Sequence, residues 1–266
     1  MRSLSDFSED ARRRVKAVLF DIDETLTTEG RLTASAYSVV ERLSGAGMLV
    51  VPITGRPAGW CDHIARMWPV DAVVGENGAF YFRYDHETRT FTKRFRLSPD
   101  ERVENRRRLD ELRDQILKSV PGAAVASDQF YRESDLAIDY CEDVPRLPGD
   151  AVRRIVRLFE DAGATAKVSS VHVNGWFGDC DKLSMTRRMM EECFAVDLEA
   201  EKETAIFIGD SPNDAPMFQF FPNAIGVANV CDFGDLLTVE PAYVTEARAG
   251  AGFAEAAEAL FAVKSS

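Results

Sequence analysis

Apolar positions along the chain alternate between two spacings, and that alternation predicts the fold. Residues 15–20 (VKAVLF) form a short apolar, β-branched run that ends in acids and threonines, which predicts a buried strand entering a polar loop. Residues 33–46 carry Ala36, Val39, Val40 and Leu43 at helical spacing and stop at Gly45 and Gly47. A second strand is expected over 48–53 (MLVVPI), a helix over 57–68 with Pro57 in its first turn, and a third strand over 71–74 that stops at GENG. Strand and helix alternating in this way predict a parallel α/β sheet with right-handed crossovers, and ligands of such sheets sit beyond the carboxyl ends of the strands.

From Tyr84 the pattern changes. Residues 81–95 alternate as a hairpin turning near 85–88, and a charged helix is expected over 99–118. A strand over 136–140, a helix over 148–162 and one strand-like run over 166–173 follow, with Asn174-Gly175 read as a hairpin turn. After Asp181 the helix and strand alternation returns: helices over 182–194 and 212–220, strands over 204–208 and 224–227, and an Ala-rich helix over 249–263. The organisation expected is a discontinuous α/β core, residues 1–83 and 181–266, with an α+β insertion at 84–180.

The 266 residues suffice for a core with a second, smaller domain, and 45% hydrophobic residues exclude collagenous and disordered chains. Charge narrows the partners: 44 Asp+Glu against 32 Lys+Arg give a net charge of -12, which repels nucleic acid and anionic lipid surfaces. Arg12, Arg13 and Arg14 read as solvated surface, and the arginines of 99–118 are interleaved with acids as a salt-bridged face rather than a nucleic-acid patch. No run reaches the ~18 apolar residues of a membrane span. The five scattered cysteines form no CxxC or Cys/His cluster, so a reducing cytoplasm is the expected setting. No pattern specifies an oligomeric state.

Four short segments fall where strands end on one edge of the expected core sheet: Asp21-Ile22-Asp23-Glu24-Thr25, Ile53-Thr54-Gly55-Arg56, the stretch at Lys182, and Gly209-Asp210-Ser211-Pro212-Asn213-Asp214. Alone, an Asp after a strand serves as a helix cap or turn former, and a lysine opening a helix faces solvent. Together they set Asp21, Asp23, Asp210 and Asp214 against one another at roughly 4 kcal/mol per close pair at an effective dielectric of 20. A divalent cation with oxygen ligands offsets this, and Mg2+ prefers one or two carboxylates, waters and a substrate phosphate.

In this order, the DxDxT, TGR, Lys and GDSxND segments resemble the four motifs of the haloacid dehalogenase superfamily, across the whole chain. The resemblance implies a Rossmann-like core, a type IIB cap and a Mg2+-dependent phosphatase acting on a small phosphorylated metabolite. The sucrose-phosphate and mannosyl-3-phosphoglycerate phosphatases, which share the GDSPND form and an ENGA-like segment at 76–79, are nearest in style. It implies Asp21 as nucleophile and Asp23 as acid and base, the latter unneeded where a halide leaves. Thr54 and Lys182 would bind the phosphoryl group. Asp210, Asp21 and the backbone carbonyl of Asp23 would hold Mg2+, oriented by Asn213, Asp214 and Ser211. Gly55, Arg56, Asn77 and Asn213 join Thr54 and Lys182 as candidate substrate contacts, and His172, Asn174 and Asp179 are candidate readers on the cap, each equally suited to a turn or packing role. Glu24 departs from the superfamily, where many relatives carry Gly. A phosphomannomutase-like mutase and a catalytically silent binding protein remain as alternatives. The cap loops carry no pattern diagnostic of a particular sugar.

Overall fold

A computed structural model describes residues 1–169 and 171–264. In chain order it contains β1 (Arg2–Ser3), α1 (Glu9–Arg14), β2 (Ala17–Phe20), α2 (Ala34–Gly45), β3 (Leu49–Pro52), α3 (Ala58–Met67), β4 (Val73–Gly75), β5 (Phe80–Asp85) and β6 (Thr90–Phe95). Then come α4 (Pro99–Ser119), β7 (Ala124–Val125), β8 (Leu136–Asp139), α5 (Gly149–Asp161), β9 (Thr165–Val168) and β10 (His172–Trp176). The chain closes with α6 (Lys182–Phe194), α7 (Leu198–Glu201), β11 (Ala205–Gly209), α8 (Ala215–Phe220), β12 (Ile225–Gly226), β13 (Tyr243–Val244) and α9 (Ala249–Lys264). Two compact units result: residues 1–55, 61–94 and 181–266 form one, residues 56–60 and 95–180 the other.

The first unit holds a six-stranded sheet in the order β1-β13-β12-β11-β2-β3, with every pair parallel. Helices cover both faces, which is why its central strands read as unbroken apolar runs. On one face Leu19, Val51 and Phe207 pack against Met185 and Met189 of α6 and Phe218 of α8. On the other, Phe20 meets Phe253 of α9 at 4.9 Å between ring centroids. Arg13 and Arg14 are exposed, as read from sequence, and Arg12 is half-buried; Arg12 and Arg13 donate to the Ala259 and Val263 carbonyls in the last turns of α9. The antiparallel sheet β4-β5-β6 adjoins through a parallel bridge from Ile53 to Val74. Because β5 pairs with β4, the hairpin counts with this unit, and the division falls after Arg94 rather than at the expected Tyr84.

The second unit is an antiparallel sheet, β7-β8-β10-β9, with α4 and α5 against it. Its core is Leu109, Leu112 and Ile116 of α4, Ile155 and Phe159 of α5, and Leu136, Ile138 and Val173 of the sheet. The strand expected over 166–173 is two strands, β9 and β10, and its residue 170 lies outside the described residues, as do 265–266 of the expected core. Asn174-Gly175 is not a turn: both residues lie inside β10, paired on either side. Glycine is required there because a Cβ would come within 2.1 Å of the Phe159 ring.

Candidate active site

The parallel ladder carries the motifs after β2, β3 and β11 just past their strands, whereas the Lys182 stretch, expected at a strand end, opens α6. Asp21 N–H donates to the Ile208 carbonyl at 2.9 Å, Ile53 N–H to Phe20 at 2.7 Å and Val227 N–H to Gly209 at 3.0 Å. The residues after β2, β3, β11 and β12 therefore emerge side by side at one sheet edge.

After β2 the chain turns through Glu24 in the left-handed region, φ 55°. Its N–H donates to Thr27 Oγ1 at 3.1 Å, and its carboxylate accepts the Gly30 N–H at 3.0 Å. A conformation that favours glycine is thus adopted by Glu, at a cost of roughly 1–2 kcal/mol. After β3, Thr54 is fully buried; its N–H donates to the Val74 carbonyl at 2.9 Å, and its own carbonyl accepts Asn77 N–H at 3.0 Å. Glu76 and Asn77 are both left-handed, and Gly78 follows at φ 100°. A Cβ on Gly78 would lie 2.0 Å from the Asp181 carbonyl oxygen, so this turn abuts the residue that opens α6. Asp181 caps that helix by accepting the Ser184 N–H at 2.8 Å, and Lys182 is its first residue. After β11, Gly209 leaves room for a carboxylate: its Cβ would come within 2.4 Å of Asp214 Oδ2.

Lys182 Nζ, with its side chain 4% exposed, lies 2.9 Å from Asp21 Oδ1 and 2.7 Å from Asp214 Oδ1. Asp214 Oδ2 accepts the Asp210 N–H at 3.3 Å. Asp21, Asp210 and Asp214 each present an oxygen within 4.8 Å of the others. One ammonium thus faces three buried carboxylates. Burial pushes the Asp21 carboxyl up to about 7; Lys182 opposes the rise, while Asp214 and Asp23 add to it. Burial, then the charges of Asp21 and Asp214, hold Asp210 well above the carboxylate range. Burial alone would lower Lys182, but Asp21 and Asp214 outweigh it and hold the ammonium above its ordinary range. A deficit of positive charge among oxygen-only donors fits a hard divalent cation and not a thiolate-preferring metal.

Of the residues expected from sequence, Asp21, Lys182, Asp210 and Asp214 are brought together, and Asp23 is near enough for its charge to act on Asp21. Thr54, Gly55 and Asn77 adjoin one another, since a Cβ on Gly55 would lie 3.2 Å from the Asn77 amide. Ser211 Oγ donates to Asn213 Oδ1 at 2.7 Å and the Ser211 carbonyl accepts the Asp214 N–H at 3.0 Å, which shapes the turn into α8. Arg56 belongs to the second unit, its guanidinium 4.5 Å from the Trp60 ring centroid. The other candidate readers there have local partners: His172 Nε2 lies 2.8 Å from Glu142, Asn174 Nδ2 donates to Asp135 at 3.1 Å, and Asp179 pairs with Arg96 at 2.6 Å. Sequence reasoning gave no role to Thr25, whose Oγ1 donates to Asp210 Oδ1 at 3.2 Å, or to Asn229, whose amide reaches Asp210 Oδ2 at 3.3 Å. The position of Asn229 just past β12, beside the strand that ends at Gly209, was the available signal.

Known proteins are similar to this chain in sequence and in fold. A family model for haloacid dehalogenase-like hydrolases matches residues 18–107. A phosphoglycolate phosphatase of Methanosarcina acetivorans is 30% identical over 252 residues, 93% of this chain and 97% of that protein. This chain is a haloacid dehalogenase-like hydrolase. As a member of that superfamily it is an enzyme of the phosphatase type, a phosphoric monoester hydrolase. Solved structures agree on the fold: one from Thermoplasma acidophilum aligns at TM-score 0.71 and 16% identity, covering 93% of this chain and 98% of that one. The sucrose-phosphatase of Synechocystis, solved with sucrose and phosphate, aligns at 0.63 and 15% identity over 94% and 98%. Among the described residues, no helix of this hydrolase is long and apolar enough to cross a membrane.

Proposed function

We propose that the chain is a Mg2+-dependent phosphatase that hydrolyses a small phosphomonoester, a sugar phosphate or a similarly small phosphorylated hydroxy acid, through an aspartyl-phosphate on Asp21. The observation that carries the reading is the buried contact of Lys182 with Asp21 beside the carboxylates of Asp210 and Asp214. A scaffold has no use for three buried carboxylates around one ammonium, whereas phosphoryl transfer needs a nucleophile and local positive charge at one place.

In the first step an Asp21 oxygen attacks phosphorus and the bond from phosphorus to the substrate alcohol breaks, with Asp23 delivering a proton to the departing oxygen. In the second, Asp23 takes a proton from water, the water oxygen attacks phosphorus, and the bond to Asp21 breaks to release phosphate. Lys182 steadies the charge on the phosphoryl oxygens in both, and Thr54 hydrogen-bonds one of them. Asp21, Asp210 and the Asp23 carbonyl would hold Mg2+, which supplies positive charge to the phosphoryl oxygens. Asn213, Asp214 and Ser211 orient that set, and Gly55, Arg56 and Asn77 contact substrate. The second unit reads the part of the substrate beyond phosphate. The scattered cysteines form no disulfide among the described residues and suit a reducing cytoplasm.

The names of the relatives set the panel that tests this: phosphoglycolate, sucrose phosphate and, beyond them, other sugar phosphates, assayed for released phosphate with Mg2+ and with EDTA. Hydrolysis of at least one compound that vanishes in EDTA and returns with Mg2+ is expected. Metal-independent hydrolysis overturns the assignment of Asp210, and turnover stimulated by a sugar bisphosphate indicates a mutase. Binding without turnover across the panel indicates a silent protein.

A further inference from the structure

We propose that Asn229 is the positioning residue of the Asp210 carboxylate and of the loop that carries Asp21 and Asp23. This rests on the cation reading above. Asn229 Nδ2 donates to the Glu24 carbonyl at 2.9 Å and to Asp210 Oδ2 at 3.3 Å, while its Oδ1 accepts the Ala249 N–H at 2.9 Å. The amide has one possible orientation, because reversing it would set its oxygen against a carboxylate and a carbonyl, two acceptors. A single side chain therefore ties together the loop after β2, the acid after β11 and the first residue of α9.

The chemistry of the donors gives this tie its purpose. Asp210 Oδ1 accepts from Thr25 and Oδ2 from Asn229, so both oxygens are aimed by neutral groups. Asp21 and Asp214 are aimed by the Lys182 ammonium. A cationic donor on Asp210 would compete with a divalent ion for the same charge, whereas an amide and a hydroxyl fix direction and leave that charge in place. The second bond, to the carbonyl of left-handed Glu24, keeps the loop at a set distance from Asp210.

A helix cap for α9 is the competing role, and Thr28 provides the control: its Oγ1 accepts the Gly250 N–H at 3.2 Å, at the same helix end. The probe is Mn2+ bound to the metal-free protein, read by the electron paramagnetic resonance of the free ion, together with kcat and KM for 4-nitrophenyl phosphate. Asn229→Ala is expected to weaken Mn2+ binding about tenfold or more and to lower kcat with KM little changed, while Thr28→Ala leaves both intact. Wild-type Mn2+ affinity in Asn229→Ala, or an equal loss in Thr28→Ala, overturns the inference. A wild-type protein that binds no Mn2+ instead overturns the cation reading itself. Should Asn229→Ala not fold, Asn229→Asp decides: its carboxylate keeps the Ala249 bond but has no N–H for Glu24 or Asp210, and undiminished kcat in that variant overturns the positioning role.

Discussion

Each unit buries a cluster of charge, and the two clusters are built on opposite plans. In the second unit Arg132 Nε and Nη2 fork onto Asp128 at 2.9 Å, its Nη1 reaches both oxygens of Asp135 at 3.0 and 3.2 Å, and Asn174 gives Asp135 another bond at 3.1 Å. Two carboxylates share one guanidinium and an amide, each held by side-chain bonds of 2.9–3.2 Å. In the first unit three carboxylates share one ammonium, and burial, with Asp214 and Asp23 adding to it against Lys182, raises the Asp21 carboxyl to about 7. A closed cluster fixes a fold; an open one stores a demand for charge that a ligand can meet. Backbone strain follows the same division. Every described non-glycine residue with positive φ lies in the first unit, and Glu24, Glu76, Asn77 and Ala249 all flank the site or its supports.

The widest separation comes from neutralising one acid in each cluster. Asp21→Asn is expected to cut turnover roughly 10^4-fold or more and keep the fold, as phosphate release and circular dichroism will show. It also acts on stability. The raised Asp21 pKa means that the stability this group contributes is present below its ordinary value of 3.8 and is lost as pH climbs through about 7. In EDTA at pH 7, Asp21→Asn is therefore more stable than the wild type, and by pH 4 the gap in melting temperature closes; a gap that widens on acidification contradicts the open-cluster account. Asp135→Ala should do the reverse, costing about 3–5 kcal/mol in urea denaturation by leaving Arg132 half-paired. Its kcat for 4-nitrophenyl phosphate, which asks little of the second unit, should stay near wild type.

How far sequence foretold this contrast depends on what each residue does to its neighbours in the chain. The first unit's central strands were legible because burial on both faces makes them continuous apolar runs, and three of its four motifs were legible because each sits where such a run ends, while the fourth, Lys182, opens α6. β1 and β13, two residues each, are too short to show a period and exist through pairing alone. β9 and β10 merged into one expected strand because the intervening residues lack Gly and Pro, while Asn174-Gly175 imitated a turn that Phe159 packing overrides. The closed cluster was missed because Asp128, Arg132 and Asp135, three and four residues apart, read equally as solvated charge, and Asn174 joins them only once the sheet has formed. Asn229 left only the signal of its place just past β12, because its partners Glu24, Asp210 and Ala249 are remote in sequence.

Smaller effects sharpen where the strain resides. Gly78→Ala adds a Cβ within 2.0 Å of the Asp181 carbonyl oxygen and places a side chain at φ 100°. The backbone must shift at the start of α6, so a loss of about 2–3 kcal/mol in thermal unfolding is expected. Lys182 moves with that helix end, and kcat should fall alongside stability. An equally close substitution in the second unit, Gly175→Ala against the Phe159 ring, should lower stability and spare kcat for 4-nitrophenyl phosphate. Equal losses of kcat in both would remove the distinction between the units.

The smallest effect isolates the left-handed residue. Glu24 contributes a side-chain bond to Gly30 N–H at its exposed end, worth about 0.5–1 kcal/mol, and pays for its φ of 55° in strain. Glu24→Ala removes the bond and keeps the strain; Glu24→Gly removes both. Glycine should therefore exceed alanine at this position by about 1 kcal/mol in chemical denaturation, the reverse of their order in a helix. Both variants keep the Glu24 carbonyl that Asn229 holds, so kcat should differ little between them. Alanine matching or exceeding glycine would mean that the loop relaxes once the carboxylate is gone, and that Gly30, not the backbone ties to Thr27 and Asn229, holds the turn that aims Asp21 and Asp23.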